Sequence, residues 1–323
     1  MKPFQYVTAR SVEAALEHAA DRGRYFAGGI DLLGELKEEI AEARILVNVK
    51  ELPGTRGIAP GPDRWVLGAN VTVAEVARHP QLRAVFPGLA EAAAEVGSPQ
   101  IRNVATVGGN LAQHSRCWYY RHRDLRCLKR GGSTCHAREG LNRHHSLFTG
   151  NPCVSPVVSN LAVALAALDA TVIVQRRGQE LAMSIAELYD AAWENPLSHH
   201  SLRAGDLILR VEVPTGLTCS AYMQCAEKSD FDWALVSCAA AAELAGGTVR
   251  RARIALGAVA PVPHQPEAAN EFLAGKPLDE ETAAAAAELI LRDADPLGHN
   301  AFKVPMAHAL IRRTLLRLGS PTA

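Results

Sequence analysis

Four of the seven cysteines, Cys117, Cys127, Cys135 and Cys153, stand in the spacing C-x9-C-x7-C-x17-C. Four thiolates suffice for a [4Fe–4S] cluster or a structural zinc. The C-x2-C knuckles usual in zinc ribbons are missing, which weighs against zinc. Residues 113–153 also hold eight Lys or Arg, two acidic residues and five of the twelve His. A four-thiolate cluster is negatively charged, so this basic surround would offset it and tune its potential. The bland alternative is four free thiols in a surface loop, and the scarcity of aliphatic residues there speaks against it. An odd cysteine count without a signal peptide argues against a disulfide framework. Cys225 and Cys238 lie among apolar neighbours and read as core residues.

Two glycine-bearing turns are the second signal. Ala27-Gly28-Gly29-Ile30-Asp31 follows a strand and opens a helix; Thr106-Val107-Gly108-Gly109-Asn110 ends a run read as extended. Adjacent glycines let a backbone approach a ligand without a Cβ in the way. Amides at such turns can face phosphate oxygens. Alone, such pairs more often only turn the chain. No two glycines are spaced i, i+2, so the dinucleotide fingerprint G-x-G-x-x-G and the kinase glycine loop are absent, as is the P-loop.

Other constellations carry less. His144-His145 and His199-His200 lack a carboxylate at helical metal spacing and read as solvated pairs. Trp118-Tyr119-Tyr120 could stack a ring, but reads as an anchor that shields the cysteines from water. No Ser-His-Asp arrangement stands out.

The elements that must position these residues follow from periodicity. Ser11 to Ala20 reads as a helix capped by Ser11. A strand at Arg24–Phe26, a helix from Asp31 and a buried strand at Arg44–Val49 predict a small parallel α/β unit. The Gly/Pro-rich segment 53–63 marks a boundary. A strand follows at Trp65–Ala69, then two helices within 72–96 broken by Pro80 and Pro87. Helix 159–168 and strands 171–175 and 207–213 complete this unit. After Pro214, three antiparallel strands (220–225, 234–244, 249–259) and helices 280–292 and 305–318 predict a separate α+β domain.

Bulk properties narrow the class. Lys plus Arg and Asp plus Glu both number 34, and 48% of the 323 residues are hydrophobic. That supports two or three domains and gives no reason to invoke nucleic acid or an anionic membrane surface. No apolar run is long enough to span a bilayer, and the first residues lack a signal layout. The expected compartment is the cytoplasm, with export alongside a signal-bearing partner left open.

With these motifs in hand, the whole chain resembles the FAD (medium, M) subunits of molybdenum hydroxylases of the xanthine dehydrogenase family, which include the CO dehydrogenase flavoproteins. The resemblance rests on AGGID (27–31), GSPQIRNVATVGGNL (97–111), EKSDFDWALVSCA (227–239) and NAFKVPMAHALIRRTLL (300–316). It implies a two-lobed vanillyl-alcohol-oxidase-like FAD domain, lobe 1 at 1–55 and lobe 2 at 56–214 with the cysteine insert at 113–153, then a C-terminal domain at 215–323. It places FAD against Ala27, Gly28, Gly29, Ile30, Asp31, Thr106, Gly109 and Asn110, with Asn160, Ile208 or Leu209, and Leu235 near the flavin. The four-cysteine insert is similar to those of 4-hydroxybenzoyl-CoA reductase and bacterial aldehyde oxidases, whose FAD subunits carry a [4Fe–4S] cluster. Ile30 replaces a usual polar residue, Asn160 a usual Asp, and Lys228 a frequent Arg.

The resemblance also implies partners: a large molybdenum-cofactor subunit, a small subunit with two [2Fe–2S] clusters, and an external electron acceptor, in an αβγ unit, single or doubled. No catalytic base can be named in this chain. The rival readings are a self-contained flavin oxidase of the same fold and a zinc-loop interaction protein. The flavin turns lie outside the cysteine loop, so loss of a cluster is expected to leave FAD bound.

Overall fold

The computed structural model describes residues 1–20 and 22–319. The chain opens with β1 (Gln5–Thr8), α1 (Val12–Ala20), β2 (Gly23–Phe26), α2 (Leu32–Lys37) and β3 (Ile45–Asn48). Ser11 Oγ accepts from the Ala14 amide at 3.2 Å and starts α1 as its sequence dictates. β1 and β2 each pair in parallel with β3, in the order β1-β3-β2. All four residues of β3 are buried, as a central parallel strand requires. β1 was not legible: it is short, largely exposed and carries no alternation.

The second unit begins with a hairpin of β4 (Ile58–Pro60) and β5 (Arg64–Gly68), so the Gly/Pro-rich boundary segment contains a short edge strand. Three helices follow where two were expected: α3 (Val73–Arg78), α4 (Pro80–Val85) and α5 (Pro87–Ala94). Pro80 and Pro87 start helices here. Each sits in the first turn, where no amide is needed. The glycine stretch is helical too, with α6 (Pro99–Arg102) and α7 (Val107–Leu111) in place of an extended run. Next come α8 (Trp118–Arg121) within the cysteine loop, α9 (Asn160–Ala167), β6 (Thr171–Arg176), β7 (Gln179–Ser184), α10 (Ile185–Glu194) and β8 (Leu207–Pro214). The strands form an antiparallel sheet in the order β4-β5-β8-β6-β7.

β8 sits where both units meet. Its register against β6 slips between Ile173 and Val174, leaving Leu209 as an extra residue. A bulge of this kind resets the alternation. Leu207 and Leu209 therefore enter the core of the first lobe, while Ile208, Val211 and Val213 all belong to the core of the second.

The last unit has β9 (Cys219–Cys225), β10 (Val236–Ala245), β11 (Thr248–Gly257), α11 (Glu267–Leu273), α12 (Glu280–Leu291) and α13 (Lys303–Leu318). The sheet is antiparallel, in the order β11-β10-β9. Val236, Cys238, Ala240 and Ala242 of β10 face the core formed with α12 and α13, while Ala239 and Ala241 face lobe 2. Alanines suit a strand covered closely on both sides. A Cβ on Gly88 of α5 would come within 2.9 Å of the Ala221 backbone of β9, so the two units meet in direct backbone contact. No helix among the described residues is long and apolar enough to cross a membrane.

Candidate functional site

A cleft of about 690 Å³ opens between the three units. Both glycine turns face it. Ala27, Gly28, Gly29, Ile30, Asp31, Thr106, Gly109, Asn110, Asn160 and Ile208 all line it. Leu209 and Leu235 do not. The β8 bulge turns Leu209 into the lobe 1 core, and Leu235 is buried at the start of β10, its amide donating to the Cys225 carbonyl at 2.7 Å.

The glycines serve different needs. Gly29 takes φ +71°, and a side chain there would strike the Phe26 ring. A Cβ on Gly28 would press into the Val104 carbonyl, so the first turn lies flat on the segment leading to the second. Among the described residues, no chain atom accepts from the amides of Gly28, Gly29 or Ile30. The second turn differs. Val107 and Gly108 donate to the carbonyls of Val71 and Ala69 (both 2.9 Å), and Gly109 donates to Thr106 Oγ1 at 3.1 Å. With Asn110 donating to the Thr106 carbonyl at 2.8 Å, the amides from Val107 to Asn110 are spent within the protein. A Cβ on Gly109 would meet only Thr106 Oγ1, at 3.0 Å, so what Gly109 provides is space on the cleft side. Asn110 Oδ1 accepts from Ser159, and Asn160 Nδ2 donates to Gln224 Oε1 of the C-terminal unit at 3.1 Å.

The cysteine loop supplies a third wall through Gln113, His114 and Arg116. Asp31 Oδ1 forms an ion pair with Arg116 at 3.0 Å and accepts from Arg121 at 2.6 Å, and Asp31 Oδ2 accepts from the His114 amide at 2.8 Å. Glu35 of α2 is 1% exposed and meets His114 Nδ1 at 2.9 Å and the Tyr120 hydroxyl, which donates at 2.8 Å. Burial pushes the Glu35 carboxyl up, but His114, Tyr120 and Arg121 together outweigh it and hold it near 2. Asp31, Glu35 and His114 bring their ligand atoms within 4.8 Å of one another. Two guanidiniums and a phenol already occupy these carboxylates, so the group reads as an ion-pair network and not as a metal seat.

The histidine pairs set aside from sequence prove structural to this region. His199 stacks on His114 with ring centroids 4.1 Å apart, and His200 lines the cleft with Nδ1 buried and unpartnered. His145 is 1% exposed, and its Nε2 lies 3.2 Å from Cys117 Sγ. Spacing gave no hint of these contacts, because each joins residues far apart in the chain.

The four cysteines are unbridged. Cys117 interacts electrostatically with Cys127 and Cys135, and the Cys153 thiol donates to Cys135, which lowers the Cys135 thiol and raises that of Cys153. Backbone amides also point at the sulfurs: Tyr119 and Tyr120 at Cys117, Ala137 and Val154 at Cys135, Ser155 at Cys153. No three of these sulfurs lie within 4.8 Å of one another among the described residues. That is looser than a zinc tetrahedron, whose sulfurs sit roughly 3.8 Å apart at a Zn–S bond of about 2.3 Å.

The basic residues of the loop act mostly as clamps. Arg130 donates to the carbonyls of His122 and Leu125, and Arg138 to those of Thr149, Asn151 and Pro152. Only Lys129 is buried, donating to the Ser198 carbonyl at 2.6 Å, and it feels all four cysteines. The expected charge offset therefore narrows to one buried ammonium. The Trp118–Tyr120 segment anchors the loop as read: the Tyr119 hydroxyl accepts from the Leu141 amide at 2.7 Å.

Comparison with known proteins agrees with this arrangement. Residues 2–216 match the FAD binding domain in molybdopterin dehydrogenase, and residues 220–318 match the CO dehydrogenase flavoprotein C-terminal domain. The chain is 32% identical to the aldehyde oxidoreductase FAD-binding subunit PaoB of Escherichia coli (strain K12), covering 98% of this chain and 96% of that one. It is 25% identical to the carbon monoxide dehydrogenase medium chain of Hydrogenophaga pseudoflava, over 97% and 96% of the two chains. Among solved structures, quinoline 2-oxidoreductase from Pseudomonas putida 86 superposes with a TM-score of 0.75 at 26% identity, covering 99% and 98%. With both domain matches spanning nearly its full length, the chain belongs to the FAD-binding medium subunits of the molybdenum hydroxylase and CO dehydrogenase family.

Proposed function

We propose that this subunit holds FAD in the cleft and one [4Fe–4S] cluster on Cys117, Cys127, Cys135 and Cys153. In this reading it passes electrons between partner subunits, a large one bearing molybdenum and a small one bearing [2Fe–2S] clusters, and an external acceptor or donor. The observation that carries it is the meeting of both glycine turns and the cysteine loop on one cleft. Bound FAD supplies the one- and two-electron chemistry. The chain's part is to bind and orient it. The unpaired amides of Gly28, Gly29 and Ile30 suit a pyrophosphate, Gly109 leaves room for its approach, and Ile208 offers an apolar surface to the ring.

The cysteine pocket suits an iron–sulfur cluster on two grounds: backbone amides aimed at the sulfurs, and a buried Lys129 ammonium with no carboxylate partner among the described residues. A buried cation needs an anion, and four ligating thiolates supply one. The loop's polypeptide runs from His114 on the cleft wall to Cys117 within three residues, so the two sites adjoin.

The test is the absorption spectrum and metal content of anaerobically purified protein. FAD with about four iron and four acid-labile sulfide per chain supports the reading. Flavin without iron favours the self-contained oxidase, and one zinc without sulfide favours a structural loop. Co-purification identifies the partner subunits.

A further inference from the structure

Among the described residues, the contact between His145 and Cys117 is the one point where a buried side chain with an unpartnered polar atom touches one of the four sulfurs. A neutral imidazole has one N–H and one lone pair. Cys117 Sγ lies 3.2 Å from His145 Nε2. A thiolate that ligates a cluster carries no proton, so across this contact Nε2–H is the donor and the sulfur the acceptor.

The ring is held rigidly for this role. It lies edge-on to Trp118, with centroids 5.3 Å apart, and tilted against Tyr119 at 6.2 Å. Its carbonyl accepts from Asn300 Nδ2 at 3.0 Å and Lys303 Nζ at 2.8 Å, both from the C-terminal unit, and its amide donates to the Asn142 carbonyl at 2.9 Å. Lys303 is fully buried and also donates to the Ala258 carbonyl at 2.7 Å. The C-terminal domain thus fixes where His145 points.

We propose that His145 is a positioning residue that donates its Nε2–H to the Cys117 sulfur and so raises the reduction potential of the cluster. This rests on the cluster reading above. A hydrogen bond withdraws charge from sulfur and so stabilises the more negative, reduced form.

The experiment uses the full chain, purified anaerobically, with iron and sulfide measured first. Absence of iron from the parent protein would sink the cluster reading itself. With the parent loaded, the cluster potential is followed by redox titration and EPR in His145→Phe, which keeps an aromatic ring between Trp118 and Tyr119, and in His145→Gln, which restores a donor near Nε2. The expected result is a negative shift in the Phe variant, a Gln variant near the parent value, and an unchanged flavin potential in both. A Phe variant at the parent potential, or a Gln variant shifted as far as Phe, overturns the proposal. Should the Phe variant lose iron, pulsed EPR of the reduced parent labelled with heavy-nitrogen histidine decides. A nitrogen coupling that His144→Gln retains supports the bond, and no coupling refutes it.

Discussion

Arg121 Nη2 lies 2.6 Å from Asp31 Oδ1, and this ion pair joins the cysteine loop to the first glycine turn. Both side chains are mostly buried, so the pair is screened less than a surface bridge. Arg121 also donates to the Ser115 carbonyl at 2.7 Å, inside the loop that carries Cys117. Arg121→Gln should weaken FAD binding by about 1–2 kcal/mol, roughly five- to thirtyfold in Kd. Fluorescence titration of the apoprotein with FAD measures this, and the exposed Arg123→Gln should leave the Kd unchanged. Equal affinity in Arg121→Gln and the parent would refute the coupling.

The two glycine turns separate stability from binding. Gly109→Val places its side chain where only Thr106 Oγ1 lies nearby, so the fold should tolerate it while flavin is excluded. Gly28→Val instead drives a side chain into the Val104 carbonyl and should destabilise the protein itself. The expected outcome is a Gly109→Val protein with a near-parent melting temperature and little flavin, and a Gly28→Val protein that is poorly folded. Full flavin occupancy in Gly109→Val would remove this turn from the site.

The sequence made much of this legible. Ser11 announced its helix, β3 its burial, and AGGID and TVGGN their place on one cleft. What stayed hidden depends on contacts distant in sequence. Thr106 takes up the Gly109 amide, so TVGGN is a helix start that offers room while the amides of Val107, Gly108, Gly109 and Asn110 are all spent within the chain. One bulged residue decides that Ile208 and not Leu209 reaches the cleft. His145, His199 and His200 read as solvated because nothing local reveals the partners that bury them.

Cys→Ser changes at positions 117, 127, 135 and 153 should each lower iron content, since serine is a harder and less readily ionised ligand. Cys219→Ser, Cys225→Ser and Cys238→Ser should leave iron unchanged. The expectation that flavin binding is indifferent to the loop is revised by the structure, because His114, Arg116 and Arg121 connect the loop to the cleft and to Asp31. Cys117→Ser, nearest those residues, should therefore lower flavin occupancy as well as iron. Iron and flavin per chain, measured together, check both. Iron loss in Cys117→Ser with undiminished flavin affinity would show the two sites to be independent.

Buried histidines make the fold sensitive to mild acid. Burial lowers His145, His200 and His264 to about 4 and takes His199 well below its ordinary value of 6.5. His264 stacks on Phe148 with ring centroids 3.9 Å apart. For each, the unfolded chain takes up a proton first as pH falls. The stability is thus fully present above about pH 6.5 and is lost on descending towards pH 4. Each site contributes a slope of up to about 1.4 kcal/mol per pH unit in that window. The Glu35 carboxylate, held near 2, adds a loss in the same direction only below about pH 4.5. The urea midpoint should be nearly flat above pH 7 and fall steeply between pH 6.5 and 5, and His264→Gln should reduce that slope by about one proton's worth. A midpoint that stays level from pH 7.5 to 5 would mean that these rings accept protons in place, without unfolding.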